Sequence, residues 1–323
     1  MISKDRLDAL LKLKSIEKSV YGSSIVPVFD ERLDLRAKLE FQLLGGSTKV
    51  RPAYRILKDY IVNGSLENNA IIVESSSGNF AIAMAMLCRI AGVKFLPVVD
   101  LNTNENTIKF LDFFCDNVIV IDKIDENGGY LLSRLRFIEQ LLEISPTKYL
   151  WPKQYSNLNN YFAHYETTGQ EIIEAFPDVE YVFIAAGTCG SLSGISSALK
   201  EYDSSIQIIA VDIEGSVIFG GEPKRRYIPG MGASVTPGLL KYAQYDEVVY
   251  VDEADVPQGC YDLFDKGFIF AGGSSGTVYH AIQEYFKNKV LTTKPKVLFV
   301  CPDGGRYYID TIYNNNWVKE TFQ

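Results

Sequence analysis

Between about residues 68 and 300, the chain alternates short apolar runs with longer segments of helical periodicity. The apolar runs are rich in Val and Ile and end at polar residues or glycine, which is typical of buried strands. Strands separated by helices in this way favour an α/β fold with parallel sheets covered by helices. The predicted strands are Ala70–Val73, Lys94–Val99, Val118–Ile121, Tyr181–Ala185, Ile206–Val211, Glu247–Val251 and Lys296–Val300. The predicted helices are 79–91, 104–115, 128–143, 161–175, 190–202, 274–288 and 306–313.

The composition excludes several classes of partner. The chain has 323 residues and a net charge of −8, with a pI near 5.0. Nucleic-acid-binding faces are rich in Lys and Arg, so nucleic acid is not expected as the main partner. No apolar run approaches the roughly 20 residues that a membrane span requires, so no membrane association is predicted.

The N-terminal segment and the cysteines indicate a cytoplasmic location. The segment MISKDRLDALLKLKSIEKS alternates charge with leucine. This predicts an amphipathic helix rather than a signal peptide, which needs an uninterrupted apolar core. The five cysteines form no CxxC pair, which is typical of a reducing cytoplasm and indicates no metal site. The two histidines, His164 and His280, are expected to be structural or at the surface.

Four segments of small and polar residues carry the candidate chemistry, and the first contains a lysine just before a helix-like run. They are Gly45-Gly46-Ser47-Thr48-Lys49-Val50-Arg51, Ser75-Ser76-Ser77-Gly78-Asn79, Gly187-Thr188-Cys189-Gly190-Ser191 and Gly272-Gly273-Ser274-Ser275-Gly276. One lysine and three such loops are what a phosphorylated aldehyde cofactor requires. The lysine forms a Schiff base, and the loops hold the phosphate, the ring and the substrate carboxylate.

Taken in this order, the four segments resemble the pyridoxal-phosphate enzymes of the cysteine synthase group, which is the β-family or fold-type II. The resemblance runs from about Glu40 to Tyr308. It implies a tryptophan-synthase-β-like fold with two α/β domains and pyridoxal 5′-phosphate between them. The smaller domain would be 36–155, and the larger would combine 1–35 with 156–323. A homodimer is also implied.

The resemblance assigns roles to residues of the smaller domain. Lys49 would be the Schiff-base lysine, and its freed amine would then move the Cα proton. Ser76, Ser77 and Gly78 would bind the substrate α-carboxylate at a helix start. Asn79 would contact the phenolic oxygen of the cofactor. The alternatives are a solvent-facing lysine and an ordinary serine helix cap.

In the larger domain, one loop would bind the phosphate of the cofactor. This loop follows an apolar run and opens a helix, an arrangement that favours anion binding. No Gly-Lys-Ser/Thr follows it, so it is not a nucleotide P-loop. Its residues are Gly187, Thr188, Cys189, Gly190 and Ser191. The family pattern is Gly-Thr-Gly-Gly-Thr, so Cys189 adds bulk near the phosphate while Ser191 keeps a hydroxyl.

Two further positions, Ser274 and Gln154, match the family pattern. Ser274 would meet the pyridine nitrogen, and a neutral hydroxyl there favours β-elimination over transamination. Ser274 could equally be a helix N-cap. Gln154 would contact the substrate carboxylate, and it is followed by Tyr155. Where the family has Asn-Pro, this chain has Leu43-Leu44, and where it has Asp after the lysine, this chain has Val50.

Three local segments resemble one branch of the family, which makes N-(2-amino-2-carboxyethyl)-L-glutamate for siderophore and 2,3-diaminopropionate synthesis. They are Gly128–Arg134, Glu214–Gly220 and Pro229–Ser234. The donor there is O-phospho-L-serine, which passes through an aminoacrylate, and the nucleophile is L-glutamate. Arg134 and Tyr155 would then lie at the acidic substrate, because Arg recognises carboxylates in a bidentate manner. A basic run at 224–226 is a second candidate, or a solvated surface.

Two alternatives remain open. At Gly187 the chain is similar to the sulfhydrylases, so a cysteine synthase or a cystathionine synthase-like enzyme is the second hypothesis. A non-catalytic, cofactor-binding relative is the third, and the changes at Leu43, Leu44 and Val50 motivate it.

Overall fold

The computed structural model describes residues 3–66, 70–126 and 128–322. The chain forms two compact units. The smaller unit combines Met1–Val20 with Lys49–Gln154, and the larger combines Tyr21–Thr48 with Tyr155–Gln323. Within the described residues, no helix is long and apolar enough to cross a membrane.

Strands and helices alternate through both units. The strands are β1 (Ile25–Val28), β2 (Asp34–Leu39), β3 (Ile71–Ser75), β4 (Lys94–Asp100), β5 (Ile119–Ile121), β6 (Tyr149–Leu150), β7 (Tyr181–Ala185), β8 (Gln207–Ile213), β9 (Glu247–Val251) and β10 (Lys296–Cys301). The helices are α1 (Lys4–Ser15), α2 (Val50–Asn63), α3 (Asn79–Ala91), α4 (Glu105–Phe114), α5 (Leu131–Ile144), α6 (Leu158–Ala163), α7 (Gly169–Ala175), α8 (Gly190–Tyr202), α9 (Val256–Gly267), α10 (Gly273–Lys287) and α11 (Asn315–Phe322).

The larger unit is built on a six-stranded sheet in the order β1-β2-β10-β7-β8-β9. All its pairings are parallel except that of β1 with β2. Val and Ile side chains project from both faces of the central strands, so the sheet has a buried core on each side. Such two-faced burial is what a parallel sheet covered by helices requires. The predicted α/β class is confirmed.

The smaller unit is built on a four-stranded parallel sheet in the order β5-β4-β3-β6. The segment 81–87, apolar on all sides, predicts a buried helix. This prediction is confirmed, because α3 is buried along nearly its whole length. Ser75 pairs with Val98 at the carboxyl end of β3, where the second predicted loop begins.

The unit boundaries differ from the expected domains at the N-terminus. Residues 1–35 were expected with the larger domain, whereas Met1–Val20 group with the smaller unit. The physical reason is that Leu13 of α1 is fully buried and Arg6 donates to the Ile61 carbonyl, with Nε at 2.8 Å. Conversely, β2 lies in the larger unit because it pairs along its whole length with β10.

Three strands, two helices and one irregularity were not predicted. The missed elements are β1, β2, β6, α9 and α11, and the helix predicted over 306–313 is instead a short 3-10 helix at Gly305–Tyr308 followed by a turn. The helix predicted over 161–175 is instead three pieces, with a π-helical turn at His164–Thr168 between α6 and α7. In that turn His164 is buried, and its Nδ1 lies 2.9 Å from Thr168 Oγ1.

Candidate active site

Lys49 occupies the N-cap position of α2 in the smaller unit and is half-buried. The chain reaches it through a turn at Leu44–Gly46, in which Gly45 and Gly46 have φ of 79° and 72°. That left-handed region favours glycine, so the two glycines are required by the turn itself. The lysine therefore follows a tight glycine turn and lies at the start of a helix.

The residue before Lys49 belongs to a buried polar network of the larger unit. Thr48 Oγ1 donates to Glu40 at 3.0 Å, and Ser23 Oγ donates to the other oxygen of Glu40 at 2.6 Å. Lys38 Nζ lies 2.7 Å from Glu171 and 3.9 Å from Glu40, and the Lys38 and Glu40 side chains are fully buried. A buried charge persists only when paired and hydrogen-bonded, so this network fixes Thr48.

Sequence reasoning did not identify this network. The only sequence signal is that Lys38 and Glu40 stand among apolar residues. That pattern does not distinguish buried charges from charges exposed on one face of a strand. Of the three residues that depart from the family pattern, Leu43 and Val50 are buried at 6% and 1% exposure, and Leu44 is half-buried. They therefore contribute apolar packing where the family has polar groups.

The Ser75–Gly78 segment, termed here the serine loop, joins β3 to α3. Ser76 Oγ accepts from the Ala81 N–H at 3.2 Å and so satisfies one donor of the first turn of α3. Ser76 lies two residues before the N-cap position, so the serine N-cap that the sequence allowed as an alternative is not what the structure has. Gly78 is the N-cap residue and provides no side-chain cap. Ser77, Gly78 and Asn79 are half-buried. The loop thus presents a helix N-terminus, where an anion is stabilised.

Glu74 is the penultimate residue of β3, directly before the first residue of the serine loop, and it is 2% exposed. Its carboxylate accepts from Trp151 Nε1 at 2.9 Å and from the Gln154 backbone N–H at 3.2 Å. Burial raises the pKa of Glu74 to about 7, against the opposing effect of these hydrogen bonds. Sequence reasoning missed this residue, whose only signal is a lone carboxylate at the end of an apolar strand.

The Gly187–Ser191 segment, termed here the cradle loop, joins β7 to α8 in the larger unit. Cys189 is the N-cap residue of α8, with φ of 61°, and makes no side-chain cap. The first N–H groups of this 13-residue helix therefore have no capping side chain at that position. The Cys189 side chain is buried in the core of the unit, so its bulk is directed into the core.

Tight packing shapes the cradle loop. A Cβ placed on Gly190 would overlap the Asn160 side-chain amide, and one on Gly187 would lie 3.3 Å from the Gly230 carbonyl. Asn160 Nδ2 also donates to Thr188 Oγ1 at 3.2 Å. Asn160 is a further residue of this site that sequence reasoning did not identify, because it lies on α6, far along the chain.

Ser274 lies in the first turn of α10 and is 3% exposed. The residue before this helix, Gly272, donates its N–H to the Asp303 carbonyl at 3.0 Å. A Cβ at Gly272 would overlap the Asp303 carboxylate, so this loop also depends on glycine. Tyr308 Oη donates to Asp303 at 2.7 Å, and burial with this carboxylate raises the pKa of Tyr308 well above its ordinary value.

Arg134 lies on α5 in the smaller unit, with its side chain 11% exposed. Its Nη1 is 3.3 Å from Asp100 Oδ2, but among the described residues neither Nε nor Nη1 has a partner in hydrogen-bond geometry. Asp125 holds the start of α5, accepting from the Gly129 and Leu132 N–H groups at 3.1 and 2.9 Å. Arg134 is therefore a largely buried cation that is paired with Asp100 and still has two donor nitrogens without a hydrogen bond to the described part of the chain.

The basic run at 224–226 is held by its own neighbours. Lys224 Nζ lies 3.1 Å from Glu214. Arg226 donates to the Gly215 carbonyl at 2.5 Å and to Ser234 Oγ at 3.0 Å. The run thus joins the Glu214–Gly220 and Pro229–Ser234 segments, and Gly232 N–H donates to the Ala186 carbonyl beside the cradle loop.

The predicted site residues are divided between the two units. The smaller unit contains Lys49, the serine loop, Asn79, Arg134 and Gln154, and the larger contains the cradle loop, Ser274 and Tyr155. Within the smaller unit, Glu74 brings Gln154 to the serine loop. Tyr155 packs against the core of the larger unit.

Comparison with known proteins gives the following matches. Residues 25–303 match the sequence profile of the family described as pyridoxal-phosphate dependent enzyme. An O-acetylserine dependent cystathionine β-synthase from Helicobacter pylori is 23% identical, with a TM-score of 0.82, covering 93% of this chain and 98% of that chain. A hydrogen sulfide-producing enzyme from Fusobacterium nucleatum is 26% identical, with a TM-score of 0.83 and coverage of 91% and 98%. An O-ureido-L-serine synthase is 24% identical, with a TM-score of 0.83 and coverage of 95% of both chains.

Proposed function

The chain belongs to the family of pyridoxal-phosphate dependent enzymes, and within it we propose that this protein catalyses β-replacement on an activated L-serine. The donor proposed is O-phospho-L-serine and the nucleophile is the amino group of L-glutamate. The products are N-(2-amino-2-carboxyethyl)-L-glutamate and phosphate. We also propose that the protein is cytoplasmic and forms a homodimer. Sedimentation of the purified protein would test the homodimer.

The residues present fit the cofactor. The cradle loop offers N–H groups at the start of α8 that no N-cap side chain satisfies. Asn160 packs so closely against Gly190 that any side chain at that position would clash with it. Backbone N–H groups at a helix N-terminus suit a phosphate. Lys49 is half-buried at a helix start and can supply the amine. When bound, the cofactor supplies an electron sink for the substrate Cα.

The remaining tasks fall to side chains and backbone of this chain. Lys49 would hold the cofactor covalently and then carry the Cα proton. Ser77 and Gly78, with the N-terminus of α3, would bind the substrate α-carboxylate, assisted by Ser76 and Gln154. Asn79 would donate to the phenolic oxygen. Ser274 would hydrogen-bond the ring nitrogen, and Thr188 and Ser191 would add hydroxyls at the phosphate.

The observation that carries the glutamate assignment is that Arg134 has side-chain donors without hydrogen bonds to the residues that the structure describes. Its side chain is largely buried, yet Nε and Nη1 have no partner in hydrogen-bond geometry among the described residues. Buried donors are nearly always satisfied, so an unsatisfied pair favours a ligand that completes them. A carboxylate matches a guanidinium in geometry and charge, as the side chain of glutamate would.

The first experiment is mass spectrometry of the products formed by purified, cofactor-loaded protein. O-phosphoserine and O-acetylserine are each combined with sulfide and with glutamate. We expect a product in which the three-carbon unit is joined to the nitrogen of glutamate, with phosphate release that depends on glutamate. Cysteine as the sole product would contradict the proposal.

A matched pair of variants tests the role of Arg134. Arg134→Ala should weaken the apparent affinity for glutamate by roughly 10- to 100-fold, because a charge-assisted bidentate contact is lost. Arg136→Ala is the control, since Arg136 lies two residues along the same helix, is half-exposed and pairs with Glu126. Equal effects of the two substitutions on the affinity for glutamate would show that Arg134 does not bind this substrate.

Sulfide as nucleophile is the second candidate function. Gly187, which heads the cradle loop, is the residue that favours it, and a structure 26% identical is described as a hydrogen sulfide-producing enzyme. Under this alternative, Arg134→Ala spares the reaction of O-acetylserine with sulfide. The four donor–acceptor mixtures therefore separate the two candidates directly.

A cofactor-binding relative without catalysis is the third candidate, motivated by the apolar residues Leu43, Leu44 and Val50. Lys49→Ala tests the covalent link. Cofactor-saturated protein should show a visible absorption band that this variant lacks. A band without turnover of any serine derivative would favour the third candidate over the first two.

A further inference from the structure

Glu74 is a buried carboxylate for which the proposed reaction has no role. It lies at the end of β3, is 2% exposed and directly precedes the serine loop. A carboxylate in such a place is costly unless hydrogen bonds replace its hydration. Its retention in the core of the smaller unit therefore calls for a function in that unit.

The contacts of Glu74 come from two segments. Its Oε1 accepts from the Ser75 N–H at 2.9 Å and from Trp151 Nε1 at 2.9 Å. Its Oε2 accepts from the Gln154 N–H at 3.2 Å. The donors thus come from the first residue of the serine loop and from the segment 151–154.

The sheet explains why these segments meet at Glu74. β3 and β6 pair in parallel, with Ile72 opposite Leu150, so their carboxyl ends reach the same edge. Just beyond this last residue pair, Glu74 links the serine loop with the segment that follows β6. The serine loop and Gln154, both proposed to bind the substrate carboxylate, leave the sheet at that edge.

We propose that Glu74, as a carboxylate, is a positioning residue that ties the serine loop to the segment 151–154. It thereby sets the spacing of the groups that receive the substrate carboxylate. The inference rests on the proposed function and adds to it the residue that fixes the geometry of this part of the site.

The charge state of Glu74 decides whether the tie holds. The donors around it are N–H groups, so a carboxylate accepts all of them, whereas a protonated Glu74 turns one O–H toward them and loses acceptor capacity. Burial raises the pKa of Glu74 to about 7, so protonation occurs near neutrality.

Other titratable groups near Glu74 and Trp151 lie on α2 and on the segment 151–154. Tyr60 Oη donates to the Trp151 carbonyl at 3.2 Å. Burial, with Glu74 and Asp59 nearby, raises the pKa of Tyr60 to about 12, far from neutrality. Lys153 Nζ lies 4.8 Å from the centroid of the Trp151 ring. A transition near pH 7 at Trp151 is therefore assigned to Glu74.

The first test follows Trp151 fluorescence against pH and needs neither cofactor nor substrate. The chain has two tryptophans, so the background is Trp317→Phe, which leaves Trp151 alone. We expect a transition with a midpoint near pH 7 that Glu74→Gln removes. Glu253→Gln is the matched control, because Glu253 is also buried and accepts the Tyr227 and Ile228 N–H groups in the larger unit. An unchanged transition in Glu74→Gln would overturn the proposal.

The second test measures steady-state kinetics with the serine donor. Glu74→Gln should raise KM by roughly 10- to 100-fold with a smaller change in kcat, because a charge-assisted hydrogen-bonding tie is lost. Glu74→Asp, which keeps the carboxylate, should recover part of this loss. The KM of the wild type should also rise as the pH falls through 7, and that of Glu74→Gln should not. A KM for Glu74→Gln within twofold of the wild type would contradict the tie.

The two proposals fail in distinguishable ways. If no serine derivative is turned over by the wild type, the proposed function fails, and the Trp151 titration still decides the role of Glu74. If Glu74→Gln does not fold, Glu74→Asp takes its place, and a shifted Trp151 midpoint is then expected. An unshifted midpoint in Glu74→Asp would count against the tie.

Discussion

The serine loop and the cradle loop both follow a parallel strand and open a helix, yet they are held by different forces. The cradle loop is enclosed by packing, since a Cβ at Gly190 would overlap Asn160. In the serine loop, a Cβ at Gly78 would meet no atom within 4 Å. Its order comes from hydrogen bonds, above all those of Glu74 and of Ser76 Oγ.

Under the proposed function, this difference matches the two kinds of ligand that the loops would hold. Steric enclosure does not depend on pH and suits a phosphate that stays bound through many turnovers. A hydrogen-bonded tie can loosen and reform, which suits a carboxylate that enters and leaves in each cycle. The same strand–loop–helix unit thus supports a fixed site or an adjustable one, according to its neighbours.

The largest expected effect breaks the enclosure of the cradle loop. Gly190→Ala forces Asn160 away from Thr188, so overpacking adds to the loss of a hydrogen bond. We expect a loss of roughly 3–4 kcal/mol in the free energy of unfolding, together with weaker retention of the cofactor. Urea denaturation and dialysis of the loaded protein measure the two quantities. A cost no larger than that of the matching substitution at Gly78 would refute the steric description.

The pH dependence of stability tests the tie in the serine loop. The folded-state pKa of Glu74 is raised to about 7 from an ordinary value of 4.5, so the folded state binds more protons between these values. Its contribution is therefore fully present below about pH 4.5 and is lost as the pH rises through 7, by up to about 3 kcal/mol.

Urea unfolding between pH 4.5 and 8 measures this contribution. The wild type should lose stability relative to Glu74→Gln as the pH rises, and Trp151 fluorescence reports the smaller unit. The ionised Glu74 carboxylate thus lowers the free energy of unfolding near neutral pH, a cost that functional sites often carry. A constant difference between the two proteins across this range would show that Glu74 does not titrate there.

Cys189 gives a smaller, directional effect in the cradle loop. Its φ of 61° is unfavourable for a residue with a Cβ, by about 1 kcal/mol. Cys189→Ala loses the buried sulfur and keeps the strain, whereas Cys189→Gly loses the whole side chain and relieves the strain. We therefore expect Cys189→Gly to be more stable than Cys189→Ala by about 0.5–1 kcal/mol. Thermal unfolding of both variants decides, and the reverse order would contradict the strain argument.

The smallest effect is expected at Gly78. Its φ of −142° is open to any residue, and space surrounds the position. Gly78→Ala should change the free energy of unfolding by less than about 1 kcal/mol. Urea denaturation beside Gly190→Ala makes the comparison direct, and a cost of several kcal/mol would show that the serine loop is also sterically enclosed.

The elements that the sequence predicted are those with strong local signals. β3, β4, β7 and the helices that follow the serine and cradle loops appear where the apolar periodicity indicates them. β2 was missed although Asp34, Arg36 and Lys38 alternate with apolar residues, which is the period-two pattern of a strand, because the run is short and lies outside the region where strands and helices alternate. It is a strand because β10, about 260 residues later, pairs with it.

The same distinction applies to the site. The alternation of apolar runs with helical segments predicted the α/β class. The four small-residue segments, with one lysine among them, predicted the cofactor through their order and their resemblance to a known family, and such turns and helix starts depend on neighbours in sequence. Glu74, Asn160 and the Lys38–Glu40 network could not be predicted, since each has at least one partner that lies 28 to 133 positions away. Only tertiary structure decides which buried charges find partners, because burial and hydrogen bonding across the fold set that free energy.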